Sequence, residues 1–124
     1  MMRFAFAMVL VAGVLPYLTT ALAKSGGGYD NAAPRDWVGQ LQGWRRRADF
    51  AHRNHFEAFP LFAAGVLIAT IAGVSPARVD LLAGAYVVLR FIYTGVYIAG
   101  WATVRSIVWF GALLCVIGLF VSAV

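Results

Sequence analysis

The sequence predicts an all-α integral membrane protein, an antiparallel up-down bundle of four transmembrane helices that forms one domain over residues 1–124. The first observation is composition: the chain is 62% hydrophobic, 12% charged and has a mean hydropathy of +0.81. Soluble domains are typically about 45–50% apolar and about 25% charged. The second is that the apolar residues form four segments, each near the ~20 residues that span a bilayer. The third is that the last three segments are joined by short connections, which make neighbouring helices antiparallel.

The first apolar segment, about Phe4 to Ala23, has two interpretations. Arg3, the apolar run and Ala21-Leu22-Ala23 fit a cleaved signal peptide. The run is longer than most signal-peptide cores, and Pro16 followed by Tyr17 suits a kinked spanning helix. We therefore expect the segment to be retained as a transmembrane helix.

A Gly- and Pro-containing stretch from Lys24 to Gly43 follows, and we expect it to be a loop. The three remaining apolar segments run from the polar cluster at residues 46–57 to about Ala72, from about Ala77 to Trp101, and from about Val104 to Val124. Pro76 suits the N-terminus of the third segment because its missing N–H would have no helical partner there.

Charge distribution predicts the orientation. The net charge is +5, and the basic residues flank or interrupt apolar runs, so we expect the lipid bilayer as the partner and no nucleic acid. The first and third connections carry Lys24, Arg35, Arg45–Arg47 and Arg105, whereas the other side has Arg3 and Arg78. Positive residues favour the cytoplasmic side. We therefore expect a multi-pass protein of the bacterial inner (plasma) membrane, with the N- and C-termini non-cytoplasmic.

Polar residues crowd the start of the second segment: Arg46, Arg47, Asp49, His52, Arg53, Asn54, His55 and Glu57. A charge at the bilayer centre costs about 2.5–3.5 kcal/mol on insertion scales, so such residues usually mark a site. Helical spacing places Arg47, Asn54 and Glu57 on adjacent positions of one face, which Arg46 and Arg53 flank.

A second stripe lies on the third segment, where Tyr86, Arg90, Tyr93 and Tyr97 follow helical spacing. At ~1.5 Å rise per residue, Glu57 and Arg90 lie at similar depth, and we expect them to form an ion pair. Arg105 and Ser106 begin the fourth segment at the cytoplasmic level. Together these residues predict a basic, aromatic pocket for a small anionic ligand with several carboxylates, which arginine binds bidentately.

Other patterns have ordinary structural interpretations. His52 and His55 are three residues apart without a clear third ligand, so we do not predict a metal site. Cys115 lies in an apolar run and suits a structural role. Small residues recur at helical spacing in Gly65-Ala69-Gly73, Gly95-Ala99, Gly111-Cys115 and Gly118-Ser122. Such rows permit close helix contact, within the bundle or between subunits.

The polar residues resemble the MAPEG family, the membrane-associated proteins of eicosanoid and glutathione metabolism. The resemblance is carried by Arg47, Ala51-His52-Arg53-Asn54, Glu57, Pro60, Arg90-x-x-Tyr93-x-x-x-Tyr97 and Arg105-Ser106. It implies a homotrimer of four-helix protomers that binds glutathione, as substrate, between subunits near the cytoplasmic face.

By the same resemblance, Arg47, Arg53, Asn54, Glu57, Arg90, Tyr93 and Tyr97 would bind glutathione. Arg105 with Ser106 would stabilise its thiolate. The implied activity is transfer of glutathione to a small lipophilic electrophile, or a peroxidase reaction.

The sequence departs from the family at Arg46, where a Glu is common, at Phe50, which replaces a second motif Arg, and at Trp109, which replaces an aromatic hydroxyl. These departures favour a non-catalytic binding or assembly module as one alternative. A small transporter, with Glu57 and Arg90 forming a gated polar path, is another.

Overall fold

A computed structural model describes residues 3–124 of the protein. The helices are α1 (Phe4–Lys24), α2 (Pro34–Gly39), α3 (Gly43–Ile71), α4 (Pro76–Ala99) and α5 (Ala102–Ala123). Four of them, α1, α3, α4 and α5, are long and apolar enough to cross a membrane. The prediction of an all-α, four-helix membrane bundle is confirmed, and the described part of the chain contains no strand.

The turns between the long helices follow from local sequence. Pro76 lies in the first turn of α4, as its spacing predicts. Gly100 ends α4 with a φ of 82°, a left-handed conformation that favours glycine and closes a helix C-terminus. Because Gly100 reverses the chain within about two residues, α5 begins beside the end of α4. This turn brings Arg105 close to Tyr97.

The connection between α1 and α3 differs from the prediction of an unbroken loop. Residues 34–39 form the short helix α2, with Pro34 at its start and Asp36 in its first turn. Both residues favour a helix N-terminus, through a preset φ and through interaction with the helix dipole. The ring of Trp37 in α2 lies edge-on to Tyr29, with 5.2 Å between centroids. The sequence thus contains signals for a helix start, but the Gly and Pro residues around them favoured the prediction of a loop.

The long helices bury one common core. Helix α3 contacts α1, α4 and α5. Phe62 of α3 stacks on Tyr86 of α4, with ring centroids 3.9 Å apart and planes 10° apart. Helix α1 contributes buried Ala5, Ala12 and Leu15. Its packing agrees with the expectation that the first segment is a spanning helix.

Three of the small residues provide close contact within the protomer. A Cβ on Gly65 would lie 3.2 Å from the Phe120 ring, which explains the close approach of α3 and α5. Gly111 and Gly118 of α5 likewise face leucine side chains of α4. A Cβ on Gly95 would meet nothing within 4 Å, so the outer face of α4 remains open at that position.

Candidate functional site

A buried arginine occupies the centre of the polar region. Arg90 of α4 is 2% exposed. Its Nε donates to Nδ1 of His55 at 3.2 Å, and its Nη2 donates to the same nitrogen at 2.8 Å and to Oδ1 of Asn54 at 2.8 Å. A charge removed from water needs such protein partners, because an unpaired buried charge is very costly. Helix α3 therefore supplies the acceptors that replace water around Arg90.

The expected ion pair between Glu57 and Arg90 was wrong. Within residues 3–124 the sole ion pair shorter than 4.0 Å joins Arg53 and Asp49, at 3.0 Å. Depth along α3 was judged correctly, but depth does not specify rotation about the helix axis. Asn54 and His55 face Arg90, while Glu57 is exposed. The correction also removes the contact on which the transporter alternative depended.

Glu57 and Arg90 nevertheless line the same cavity, which has a volume of about 210 Å³. We call it the lateral cavity. Its lining residues come from α3, α4 and α5 and are Asn54, Glu57, Ala58, Leu61, Tyr86, Arg90, Trp109, Ala112, Leu113 and Val116. The polar groups come from α3 and α4, and α5 contributes apolar and aromatic wall. This lining suits a ligand with one polar end and one apolar end.

An arginine–tyrosine line, Arg90, Tyr93, Tyr97 and Arg105, runs from this cavity to the junction of α4 and α5. The guanidinium carbon of Arg90 lies 4.3 Å from the Tyr93 ring centroid. The Tyr93 and Tyr97 rings meet edge-on at 5.4 Å, and the Arg105 guanidinium carbon lies 4.6 Å from the Tyr97 centroid. Cations over aromatic faces are attracted by the ring quadrupole. Arg90, Tyr93 and Tyr97 of the predicted stripe thus form a continuous series of contacts, whereas Tyr86 stacks on Phe62.

The far end of the line opens into a second space of about 300 Å³, which we call the terminal recess. Its lining residues are Arg47, Phe50, Tyr97, Gly100, Trp101, Ala102 and Arg105. Arg47 donates from Nε to the carbonyl of Ile98 at 2.9 Å. This bond satisfies a carbonyl in the last turn of α4, where such groups lack helical partners. The recess therefore presents two arginines and one tyrosine.

Two of the predicted site residues lie apart from this arrangement. Arg53 is directed toward α1 and α2, where it lines a third space with Lys24, Arg35, Asp49 and His52. The side chain of Arg53 is 60% exposed. Ser106 is exposed, and its hydroxyl donates to the carbonyl of Ala102 at 3.2 Å. Within one protomer, neither side chain lines the lateral cavity or the terminal recess.

His55 and Thr94 belong to the buried network, but neither of them was assigned to the binding site from the sequence. His55 Nε2 lies 2.8 Å from Thr94 Oγ1, and both residues are buried. The sequence spacing indicates a common helix face, because His55 is seven residues from both Ala48 and Phe62. The structure buries all three residues. A histidine in such a row of core positions predicts a buried polar contact with the neighbouring helix.

Comparison with known protein families places the whole arrangement in context. The model of the MAPEG family matches residues 4–124, essentially the entire chain. No curated protein and no solved structure matches the chain. The chain therefore belongs to the MAPEG family.

Proposed function

We propose that this MAPEG-family protein is a membrane-bound glutathione-dependent transferase that conjugates the glutathione thiolate to small lipophilic electrophiles. The observation that carries the proposal is the arginine–tyrosine line, which joins the lateral cavity, with its apolar wall from α5, to the cationic terminal recess. Family membership supports a role in glutathione or eicosanoid metabolism. A peroxidase reaction on lipid hydroperoxides would use the same thiolate.

The charges suit glutathione, which has two carboxylates, one ammonium and one thiol. Arg47 and Arg105 line the terminal recess and would bind carboxylate or thiolate groups. Glu57 is exposed, carries a negative charge and would bind the ammonium. Asn54 and Arg90 present hydrogen-bonding groups at the wall of the lateral cavity, and Tyr93 and Tyr97 connect the two spaces.

The chemistry needs a stabilised thiolate. A free thiol has a pKa of about 8.5, and a nearby cation favours the anion. We assign that role to Arg105, with Ser106 as a hydrogen-bond donor after rotation from Ala102. The thiolate sulfur would form a bond to an electrophilic carbon. With an aryl halide, the halide departs with the electron pair of its bond to carbon. With an unsaturated carbonyl compound, nothing departs, and the resulting enolate takes up a proton from water. Electrophiles dissolved in the bilayer would arrive along the apolar wall that α5 gives to the lateral cavity.

We further propose a homotrimer in the bacterial inner membrane, with the loop between α1 and α3 in the cytoplasm and both termini outside it. Arg53 supports the trimer, because it lies on the α1 side of α3, away from Asn54. In a site between subunits, one protomer would supply Arg53 and its neighbour would supply Asn54 and Arg105. Arg53 would then contact glutathione without rearrangement of α3.

A non-catalytic binding module is the second candidate. Phe50 lines the terminal recess, where the family resemblance predicts a second arginine, and the guanidinium of Arg46 lies 5.1 Å from its ring. Trp109 lines the lateral cavity, where an aromatic hydroxyl was expected. Compared with the family pattern, the site thus lacks one cation and one aromatic hydroxyl that could bind and activate a thiol.

Titration of the purified protein with glutathione separates the two candidates. Thiolate absorbance that rises with glutathione, followed by its decay when a lipophilic aryl halide or an unsaturated carbonyl compound is added, supports the transferase. Saturable binding with no turnover of either electrophile supports the module. Absence of glutathione binding contradicts both. S-methylglutathione, which has no ionisable thiol, is the matched control ligand for the absorbance signal.

A further inference from the structure

Arg90, His55 and Thr94 form a closed ring of hydrogen bonds between α3 and α4. The guanidinium of Arg90 donates to Nδ1 of His55, and Nε2 of His55 lies 2.8 Å from Thr94 Oγ1. The Thr94 hydroxyl donates to the backbone carbonyl of Arg90 at 2.9 Å. The ring therefore begins and ends on the same residue. All three side chains are buried.

The donors in this ring determine the tautomer of His55. A guanidinium has only N–H donors, so Nδ1 of His55 has to be the acceptor. The proton of the neutral imidazole is then on Nε2, which donates to Thr94 Oγ1. Thr94 can accept this bond because its own proton is used on the Arg90 carbonyl. Thr94 thus selects the tautomer that leaves Nδ1 free to accept from Arg90.

We propose that His55 is a positioning residue, which fixes the Arg90 guanidinium against Asn54 at the wall of the lateral cavity. Two donor groups of Arg90 share the single acceptor Nδ1, and Nη2 also reaches Asn54 at 2.8 Å. These contacts hold the guanidinium plane over the Tyr93 ring. Without His55, the arginine would lose the acceptor that its Nε has among residues 3–124. The consequence for ligand binding rests on the proposed function, whereas the orientation of Arg90 does not.

Two conservative variants separate the two nitrogens of His55. In His55→Asn, the side-chain oxygen lies near the position of Nδ1 and can still accept from Arg90. In His55→Gln, the polar group reaches the position of Nε2 and leaves Nδ1 without a substitute. Thr94→Val removes the group that selects the tautomer. Thr70→Val is its matched control, because Thr70 likewise donates to the carbonyl four residues earlier, at 2.8 Å, and bonds to no other side chain among residues 3–124.

The direct test is solvent exchange of arginine Nε–H groups, measured by NMR on protein with ¹⁵N-labelled arginine in nanodiscs. The Nε–H of Arg90 is expected to exchange slowly, and its absence in Arg90→Lys distinguishes it from the hydrogen-bonded Nε–H of Arg47. The exchange rate of the Arg90 Nε–H should stay as slow as in wild type in His55→Asn and Thr70→Val. It should rise about 10-fold or more in His55→Gln and Thr94→Val. Equal exchange in wild type and His55→Gln would overturn the proposal. If His55→Gln does not fold, the two threonine variants decide in the same way.

Glutathione affinity provides the functional readout. His55→Gln should raise the Kd for glutathione about 10-fold or more, as expected for loss of a hydrogen bond to a charged group. His55→Asn should restore most of the affinity, and the ionisation of bound thiol should not change, because Arg105 is untouched. A wild-type protein that does not bind glutathione would refute the proposed function, while the exchange measurement would still decide the role of His55. Unchanged affinity in His55→Gln, with wild type binding normally, would refute the positioning role.

Discussion

The guanidinium of Arg105 lies over the ring of Tyr97, with 4.6 Å between the guanidinium carbon and the ring centroid. The contact joins the first turn of α5 to the last turn of α4, and it depends on the tight reversal at Gly100. It places one cation at the wall of the terminal recess, in a partly buried position where charge acts more strongly than in bulk water.

Arg105→Ala should prevent thiolate formation while leaving the fold intact. Loss of the cation should return the pKa of bound thiol toward about 8.5, and each unit corresponds to about 1.4 kcal/mol. Thiolate absorbance recorded against pH, with bound glutathione, measures this change. Arg78→Ala, at the opposite end of α4, is the control and should behave as wild type. An unchanged titration curve in Arg105→Ala would assign activation of the thiol to another group.

Substitutions of Glu57 and of Arg90 should differ in their effect on the free energy of unfolding. Arg90→Ala leaves a space in the core and removes the donor to Asn54 and His55, so we expect a loss of about 2–5 kcal/mol in the free energy of unfolding. Glu57→Gln should change it by less than about 0.5 kcal/mol, because Glu57 is exposed. Unfolding in mixed micelles measures both. A similar loss in the two variants would mean that the carboxylate pairs with Arg90 after all.

Co-expression of two inactive variants tests the site between subunits. Arg53→Ala and Arg105→Ala should each abolish transfer when expressed alone. In mixed assemblies of the proposed trimer, a protomer with intact Arg53 can lie beside one with intact Arg105, so activity should partly return. The measurement is glutathione conjugation by purified mixed assemblies that carry two different tags. Arg105→Ala mixed with Arg105→Leu is the control, and it should remain inactive. Failure of the first mixture to recover would place the whole site within one protomer.

Close packing of α3 on α5 should make Gly65 intolerant of larger residues. The Cβ of Gly65→Val would lie 3.2 Å from the Phe120 ring, and overpacking of this kind costs about 1–3 kcal/mol. Gly95→Val is the matched control within a spanning helix, because its Cβ meets nothing within 4 Å. The melting temperature in detergent should therefore be lower in Gly65→Val than in wild type, and unchanged in Gly95→Val. Loss of the proposed trimer in Gly95→Val, with an unchanged melting temperature, would identify α4 as part of the subunit contact.

Membrane orientation can be tested at two exposed serines at opposite ends of the bundle. Ser25 ends α1, and Ser75 lies between α3 and α4. In a Cys115→Ala background, Ser75→Cys should react with an impermeant maleimide in intact cells whose outer membrane has been opened. Ser25→Cys should react only after the inner membrane is permeabilised, because the basic residues of this connection, Lys24, Arg35 and Arg45–Arg47, favour the cytoplasm. The reverse pattern would invert the proposed topology.

Much of the arrangement was predictable because helical periodicity and depth are local properties. The stripe of Tyr86, Arg90, Tyr93 and Tyr97 needed only the helical repeat, and the short turn predicted that Arg105 begins the fourth segment at the cytoplasmic level. The partner of Arg90 was not predictable in this way. Glu57 has the more suitable charge, but the rotation of α3 about its axis depends on apolar packing such as that of Phe62 on Tyr86.

Composition and periodicity in the sequence alone determined the membrane environment, the four spanning helices and the positions that carry polar groups. These properties depend on residue type and spacing, which are readable without a neighbour. The tertiary structure decided which polar groups meet. In the folded protein, Asn54 and His55 rather than Glu57 accept hydrogen bonds from Arg90, and Arg53 lies toward α1 and α2. The physical reason is that helix rotation and close approach result from the summed packing of all the long helices, to which each polar residue contributes little.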